Sequence, residues 1–310
     1  MMAVDNTGGT HNGRIYVCWQ QQDSVGENLW DVMFAYSADH GSSYHLSPIP
    51  DTSGGQLDSL DPNQNYRIRT RGKYPMPAVA HDGKVYVVWL DAGDFKVSSS
   101  TDGGVAFGNA KIGPHIPAPQ DQYSFLSERI SNIPSLAVAP NGNLCLAYTE
   151  WISNSDQRYR VKYSQSQDGG TSWSSPFIVW EPGAGENQQY FPVVAVDGSG
   201  RIDLAFVYGT VGSDTVANTY FAVSSDGGAS FSVRQKLSDV NSNPARSSSC
   251  HPPATNCGVN DYIGMALTGT GKMCVLWTDR RNNDGDAYFA STKPDPAIPS
   301  SPSDCAMVSV

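Results

Sequence analysis

Apolar and polar positions along this chain recur in one figure: a glycine, then an alternation of apolar residues, then an aromatic six residues on. The pairs are Gly13 with Trp19, Gly83 with Trp89, Gly142 with Tyr148, Gly200 with Phe206 and Gly271 with Trp277. Short apolar runs stand before the glycine, as in Pro77-Ala78-Val79-Ala80, Leu136-Ala137-Val138-Ala139 and Val193-Val194-Ala195-Val196. Each unit therefore opens with an antiparallel hairpin. Its turn carries Asp82-Gly83, Asn141-Gly142 or Ser199-Gly200, residues that accept the positive φ of a tight hairpin. The second strand sets Val85, Val87 and Trp89 on one side against Tyr86 and Val88 on the other. Both sides are apolar, as a strand lying between two neighbouring sheets requires.

A second element follows each hairpin. Ser37-Ala38-Asp39-His40-Gly41-Ser42-Ser43-Tyr44 is matched by the segments from Ser100 to Phe107, Ser166 to Trp173 and Ser224 to Phe231. These are four copies of Ser-x-Asp-x-Gly-x-x-aromatic. The Asp accepts bonds from turn amides, the Gly supplies a left-handed backbone and the aromatic packs the next strand down. Successive Asp residues lie 63, 66 and 58 positions apart, the length of one four-stranded blade with a loop. A fifth copy, around Ala287 to Pro294, has lost its Asp and Gly, and the apolar stretch from Cys305 to Val310 is expected as a last outer strand.

Composition agrees with many short strands joined by tight turns: 30 Gly, 20 Pro and 15 Tyr, with 16% charged residues and no helix-rich stretch. The expected fold class is all-β, a β-propeller of four-stranded antiparallel blades with Asp-box turns. The five units fit a five-bladed ring, or a six-bladed fold lacking one blade. They form one domain, with blade units at about 1–50, 74–115, 133–181, 191–240 and 261–310.

A formal charge of -10 argues against a nucleic-acid or anionic-membrane surface, which clustered Lys and Arg would hold. No apolar run approaches the roughly 18 residues of a membrane span, and residues 1 onward show no signal peptide. Cys18, Cys145 and Cys274 lie in apolar runs and read as buried thiols, whereas Cys250 and Cys257 suit a local disulfide. Cys250, His251 and Cys257 lack a convincing fourth zinc ligand, so neither metal nor organic cofactor is expected.

The four boxes at blade spacing resemble the Asp-box, or bacterial neuraminidase repeat, superfamily over essentially the whole chain. Asp261-Tyr262-Ile263-Gly264 followed by Trp277-Thr278-Asp279-Arg280-Arg281 is similar to the closing blade of bacterial exo-α-sialidase-like proteins. The resemblance implies a secreted or cell-surface monomer that meets glycans. In sialidases three arginines hold the substrate carboxylate, a Tyr activated by a Glu is the nucleophile and an Asp is the acid/base. Tyr66-Arg67-Ile68-Arg69 lacks the Pro of the sialidase Phe/Tyr-Arg-Ile-Pro motif and follows the first box, so that arginine's role is not carried over.

In a four-stranded meander the turn between strands 3 and 4 lies opposite the loops that join strands 2 and 3 and successive blades. The boxes thus occupy one end, and long connections at 51–74, 108–132, 181–190 and 237–261 gather at the other. Binding residues are expected there, at the ends of second strands and the starts of first strands. The catalytic candidates are Asp279, Tyr262, Glu150 and Asp91, with Tyr262 as nucleophile and Glu150 as its base. The substrate-binding candidates are Arg280, Arg281, Arg129, Arg71, Asp261 and Tyr190; arginine suits an anionic sugar because its fork grips a carboxylate. Asp279 beside Arg280 reads equally as an ion pair locking the last blade. Three functions fit: an exo-acting sialidase-type glycoside hydrolase, a non-catalytic carbohydrate-binding or cell-surface propeller, and a polysaccharide lyase.

Overall fold

The computed structural model describes residues 1–22, 30–50, 57–58, 67–68, 70–117, 132–152, 158–181, 187–210, 216–242, 263–268, 271–279, 281 and 286–291. Blade 1 comprises β1 (Met2–Val4), β2 (Ile15–Gln22), β3 (Trp30–Ser37) and β4 (His45–Leu46). A short hairpin, β5 (Leu57–Asp58) with β6 (Arg67–Ile68), precedes blade 2, which is β7 (Lys73–Val79), β8 (Val85–Asp91), β9 (Asp94–Ser100) and β10 (Lys111–His115). Blade 3 is β11 (Ser135–Val138), β12 (Leu144–Trp151), β13 (Tyr159–Ser166) and β14 (Phe177–Ile178). Blade 4 is β15 (Asn187–Val196), β16 (Ile202–Thr210), β17 (Val216–Ser224) and β18 (Val233–Lys236). Blade 5 contributes β19 (Ile263–Leu267), β20 (Met273–Asp279) and β21 (Asp286–Ser291). In every blade the strands neighbour one another in chain order, and no α-helix occurs among the described residues. This is the all-β propeller class the repeat predicts, with five blades.

The chain falls into two compact units. One contains Met1–Ile116, Leu136–Leu146 and Ser164–Ser175; the other contains Pro117–Ser135, Ala147–Tyr163 and Pro176–Val310. The same packing rule governs both. In the first unit Tyr16, Cys18 and Phe34 of blade 1 share a core with Val85, Val87 and Trp89 of blade 2. In the second, Ala205 and Phe221 of blade 4 share a core with Met273, Val275 and Trp277 of blade 5. In these two seams, then, residues of the earlier second strand at odd counts after its marker glycine, such as Cys18 and Ala205 at five, meet those two, four and six after the marker on the later one. Each Val, Leu or Phe buried in such a seam contributes roughly 1.5–3 kcal/mol.

The Asp boxes connect strands 3 and 4 as expected, and their bonding explains their composition. In the third box Ser166 Oγ donates to Asp168 Oδ1 (2.9 Å), Ser172 N donates to the same oxygen (2.8 Å) and Ser172 Oγ donates to Oδ2 (2.6 Å). Gly170 N closes the turn on Ser166 Oγ at 2.8 Å. Hydroxyl and amide donors, with Ser172 foremost, hold the Asp168 carboxyl well below its ordinary range; Ser43 does the same for Asp39, and Ser224 leads for Asp226. The second Gly of a box also meets the preceding blade. A Cβ on Gly228, whose φ is +89°, would lie 2.6 Å from the Tyr163 hydroxyl. Cations stitch the same seams: Arg14 Nη1 donates to Gly103 O at 2.6 Å and Lys111 Nζ to Gly169 O at 3.1 Å.

Three expectations need correction. Tyr44, the aromatic of the first box, is 49% exposed, whereas Phe107 and Phe231 are buried edge-on against Phe34 and Tyr163 of the preceding blade. Cys18 and Cys145 are buried thiols as expected, but Cys274 is disulfide-bonded. Its burial follows from the apolar pattern, which carries no signal of a bond. Finally, the segments read as connections at 108–132 and 181–190 contain β10 and the start of β15. The expected pairing of Cys250 with Cys257 and the outer strand at Cys305 to Val310 lie outside the described residues.

Two outcomes follow. Gly228→Ala should destabilise the fold in urea more than Gly142→Ala, by at least ~1 kcal/mol. Both force an alanine into left-handed backbone, but only Gly228 also faces a packed side chain, while nothing lies within 4 Å of Gly142. Because its folded carboxyl is held low, Asp168 adds stability above the unfolded Asp value of about 4 and loses it as pH falls below. The melting-temperature gap between wild type and Asp168→Asn should therefore be widest above about pH 4 and narrow in stronger acid.

Candidate functional site: the ends of the second strands

Eight residues after the marker glycine, at the end remote from the Asp boxes, three blades carry a carboxylate: Asp91, Glu150 and Asp279. Each is bound to a cation of its own blade. Asp91 Oδ2 lies 2.7 Å from Lys96 Nζ on β9, with the Asp side chain 24% exposed. Glu150 Oε1 lies 2.7 Å from Lys162 Nζ on β13, and the Glu side chain is 7% exposed. Asp279 is 1% exposed and accepts three bonds, from Arg281 Nη2 (2.8 Å), Arg281 N (2.8 Å) and Trp277 Nε1 (3.3 Å). Burial alone would raise the Asp279 carboxyl, but the bonds from Arg281 and Trp277 outweigh it and hold it below the ordinary range. Asp279 is thus ionised near neutrality. The ion pair of the last blade is made by Arg281.

Arg281 is committed in several directions at once. Its Nη1 donates to Asp239 Oδ1 at 2.5 Å, and its guanidinium lies over the Tyr288 ring, 3.9 Å from the centroid. Two carboxylates neutralise it and push its pKa further up. Its charge is already spent within the protein. Arg71 belongs to blade 1 by its backbone: it bridges to Asp31 on β3 and its carbonyl accepts Trp89 Nε1 at 3.1 Å. Tyr190 is fully buried and packs edge-on to Phe191 in a core with Tyr159, Val207 and Ala217, so its ring faces protein. Tyr262, Asp261, Arg280 and Arg129 lie outside the described residues.

The starts of the first strands carry a device that the repeat did not expose. Nine residues before the marker glycine, Tyr74 and Phe191 adopt left-handed backbone, with φ of 58° and 53°. Each precedes a proline, which disfavours helical backbone, and each sits where the strand register shifts. The preceding blade holds them by the side chain seven residues after its own marker. Tyr74 N donates to Gln20 Oε1 (3.0 Å), and Phe191 N donates to Thr149 Oγ1 (3.2 Å) beside Glu150. Strain held in place by a neighbour is common at functional sites. Counting from Gly271, Tyr262 occupies this register in blade 5. An aromatic followed by proline, nine before the glycine, was the available signal.

The sequence reading also missed the lysines and an aromatic cluster. The Trp180 ring lies tilted against those of Tyr208 and Tyr220, with centroids 4.9 Å and 5.5 Å away, all three half-buried. Burial foremost keeps the Tyr208 and Tyr220 hydroxyls protonated. Among the described residues no group of His, Cys, Asp and Glu side chains is arranged to hold a metal ion.

Lys162→Met should leave Glu150 buried without its cation and cost about 3 kcal/mol in urea denaturation. Adding Glu150→Gln should recover more than half of that loss, because the uncompensated charge disappears with it.

No curated protein matches this sequence. Among solved structures, the chain is similar to an alpha-L-arabinanase of Penicillium chrysogenum complexed with arabinobiose, at 15% identity and a TM-score of 0.56, over 85% of this chain and 71% of that one. It is also similar to the alpha-L-arabinofuranosidase of Fusarium graminearum with an iminosugar inhibitor, at 12% identity and a TM-score of 0.53, over 91% and 90%. An ulvan lyase, of a polysaccharide lyase family, is similar at 14% identity and a TM-score of 0.55, over 94% and 66%. Such likenesses speak for the fold. A family model described as BNR repeat-containing family member matches residues 124–295, more than half of the chain. The chain with its four Asp boxes belongs to the BNR repeat-containing family.

Proposed function

We propose that this chain acts on glycans as a glycoside hydrolase, with its chemistry at the second-strand ends of blades 3 and 5. The observation that carries this reading is the pair of deeply buried carboxylates there, Glu150 and Asp279, each held by its own cation. Glycoside hydrolysis needs two carboxyl groups kept in different roles. Asp279, held ionised, stabilises positive charge developing at the anomeric carbon. Glu150 accepts the proton of the nucleophile, for which Tyr262 is the candidate, as the tyrosine oxygen bonds the anomeric carbon and the bond to the aglycone breaks, the aglycone oxygen taking a proton from solvent; in the second step water displaces the tyrosine oxygen and loses a proton to solvent, and Glu150 returns its proton to the tyrosine oxygen. Three similar structures bear the names of an arabinanase, an arabinofuranosidase and a lyase, which is consistent with a sugar ligand.

The finer reading is exo-acting release of a terminal anionic sugar, as in sialidases. Since Arg281 is neutralised by Asp279 and Asp239, the grip on an anionic group would fall to Arg280 and Arg129. A secreted or cell-surface setting accompanies this reading.

A second reading is a non-catalytic carbohydrate-binding propeller. It is favoured by the closure of Asp91, Glu150 and Asp279 in ion pairs inside their own blades, and by the half-buried Trp180, Tyr208 and Tyr220, which suit stacking on sugar rings.

A panel of a fluorogenic sialoside, an α-L-arabinofuranoside and a uronate polysaccharide separates these. We expect turnover of the sialoside, with Asp279→Asn and Glu150→Gln each lowering kcat by about 10²-fold or more. Release from the arabinofuranoside instead would retain the hydrolase and replace its sugar. Retention on a glycan affinity gel with no turnover of any substrate, and loss of retention in Tyr208→Ala, would establish the second reading in its place.

A further inference from the structure

The count of eight after the marker glycine sets blade 4 apart. Blades 2 and 3 carry a carboxylate there, Asp91 and Glu150, each closed by a lysine of the third strand, Lys96 and Lys162. Blade 4 carries Tyr208. Its third strand sets Tyr220 opposite Phe206, where blade 2 sets Lys96 opposite Trp89. An ion pair has given way to two phenols, and Trp180, just after β14, lays its ring against both. Because ion pairs serve at these positions in blades 2 and 3, the stacking of blades does not by itself demand rings here. Each of the three rings also ends in a polar tip. Among the described residues no hydrogen bond occupies Trp180 Nε1, the Tyr208 hydroxyl or the Tyr220 hydroxyl, although indoles and phenols inside proteins normally find partners.

The residue after Trp180 supplies a fixed acceptor. The Glu181 side chain is 57% exposed, yet its Oε2 takes Arg160 Nε at 3.0 Å, and the Arg160 side chain is fully buried. Arg160 Nη1 is turned inward onto Tyr159 O at 3.0 Å. Burial foremost raises the Tyr208 hydroxyl and Tyr220 adds to it, while the Arg160 charge opposes both, which marks guanidinium and ring as near neighbours. Taking a guanidinium wholly out of water is costly. Here the buried cation holds in one place a carboxylate that stands in water, whereas an exposed glutamate is ordinarily left to move. Lys236, opposite Tyr220 on β18, is turned to Asn241 Oδ1 at 2.7 Å.

A sugar ring has an apolar C–H face and hydroxyls at its edge. Aromatic rings receive the face, and a fixed carboxylate accepts protons from two neighbouring hydroxyls. A sugar bearing its own carboxylate would set like charges together at Glu181. We propose that Trp180, Tyr208, Tyr220 and Glu181 form a subsite for a neutral sugar unit of a glycan. All four, with Arg160, belong to one compact unit. The subsite rests on the reading of this chain as a protein that acts on glycans, and it adds the class of sugar held by residues other than Glu150 and Asp279.

Isothermal titration of the full chain with arabinobiose, lactose and xylobiose should show binding of at least one, with a Kd of about 1 mM, as a single stacked ring gives. Glu181→Gln keeps the shape of the side chain and should weaken that binding about tenfold. Trp180→Ala should weaken it at least as much. Tyr220→Phe keeps the packing, removes one hydroxyl and should cost about threefold, so the test stands even where Trp180→Ala does not fold. Asp279→Asn should bind the disaccharide as the wild type does while its turnover of the sialoside falls. The proposal is overturned by binding of none of the three disaccharides, by an affinity that neither Glu181→Gln nor Tyr220→Phe changes, or by glucuronate binding more tightly than they do through the same residues. Sialoside turnover in a protein that binds none of the three removes the subsite alone. Neither turnover nor retention of any glycan removes the glycan reading with it.

Discussion

The second strand of each blade is apolar on both sides, and this one property governs where every other group can go. A strand of this kind is stable in water only when sheets lie against both of its faces, so it compels blades to stack. Once stacked, the seams contain no room for ionisable groups except at strand ends. Polar side chains are therefore sorted by position along the strand. Those near the hairpin turn serve the boxes and the cation bridges; those eight residues past the glycine, such as Asp91, Glu150 and Asp279, emerge where the loops begin. The site is a by-product of the stacking rule.

The ion pairs at that end serve two needs at once. A buried carboxylate without a partner is costly, and Lys96, Lys162 and Arg281 each remove that cost within a single blade. A carboxylate so held is also fixed in direction and, for Asp279, fixed in charge. Glycan chemistry profits from such preorganisation, and a folding seam profits from the same contact. That is why the hydrolytic and the purely binding readings share their residues, and why kinetics discriminates where geometry is neutral.

The fold was legible because its signals are local and repeated. Marker glycine, aromatic and Asp box each sit at a fixed count from one another, and the positions of Asp91, Glu150 and Asp279 follow from that count. What escaped were relations without a fixed count. Lys96 lies five residues from Asp91, but Lys162 lies twelve from Glu150, because the intervening loops differ in length. The Cys274 bond is one such relation. Tyr190 was expected among exposed binding groups, yet β15 begins earlier than its apolar run suggests and carries that ring into the core. Arg281 was expected among the binding groups, yet its amide and guanidinium both bond the Asp279 carboxylate, a relation that two nearby positions in a sequence do not display.

The two-faced strand also restricts how such a chain can change length. Inserting one residue into β12 would turn every later side chain of that strand toward the wrong neighbour, spoiling two seams in a single event. Additions between strands 2 and 3, or between blades, disturb neither. Gains and losses of sequence are thereby channelled to the end where Glu150 and Asp279 emerge, and a lineage of these proteins is free to exchange ligands while its stacked frame keeps its dimensions.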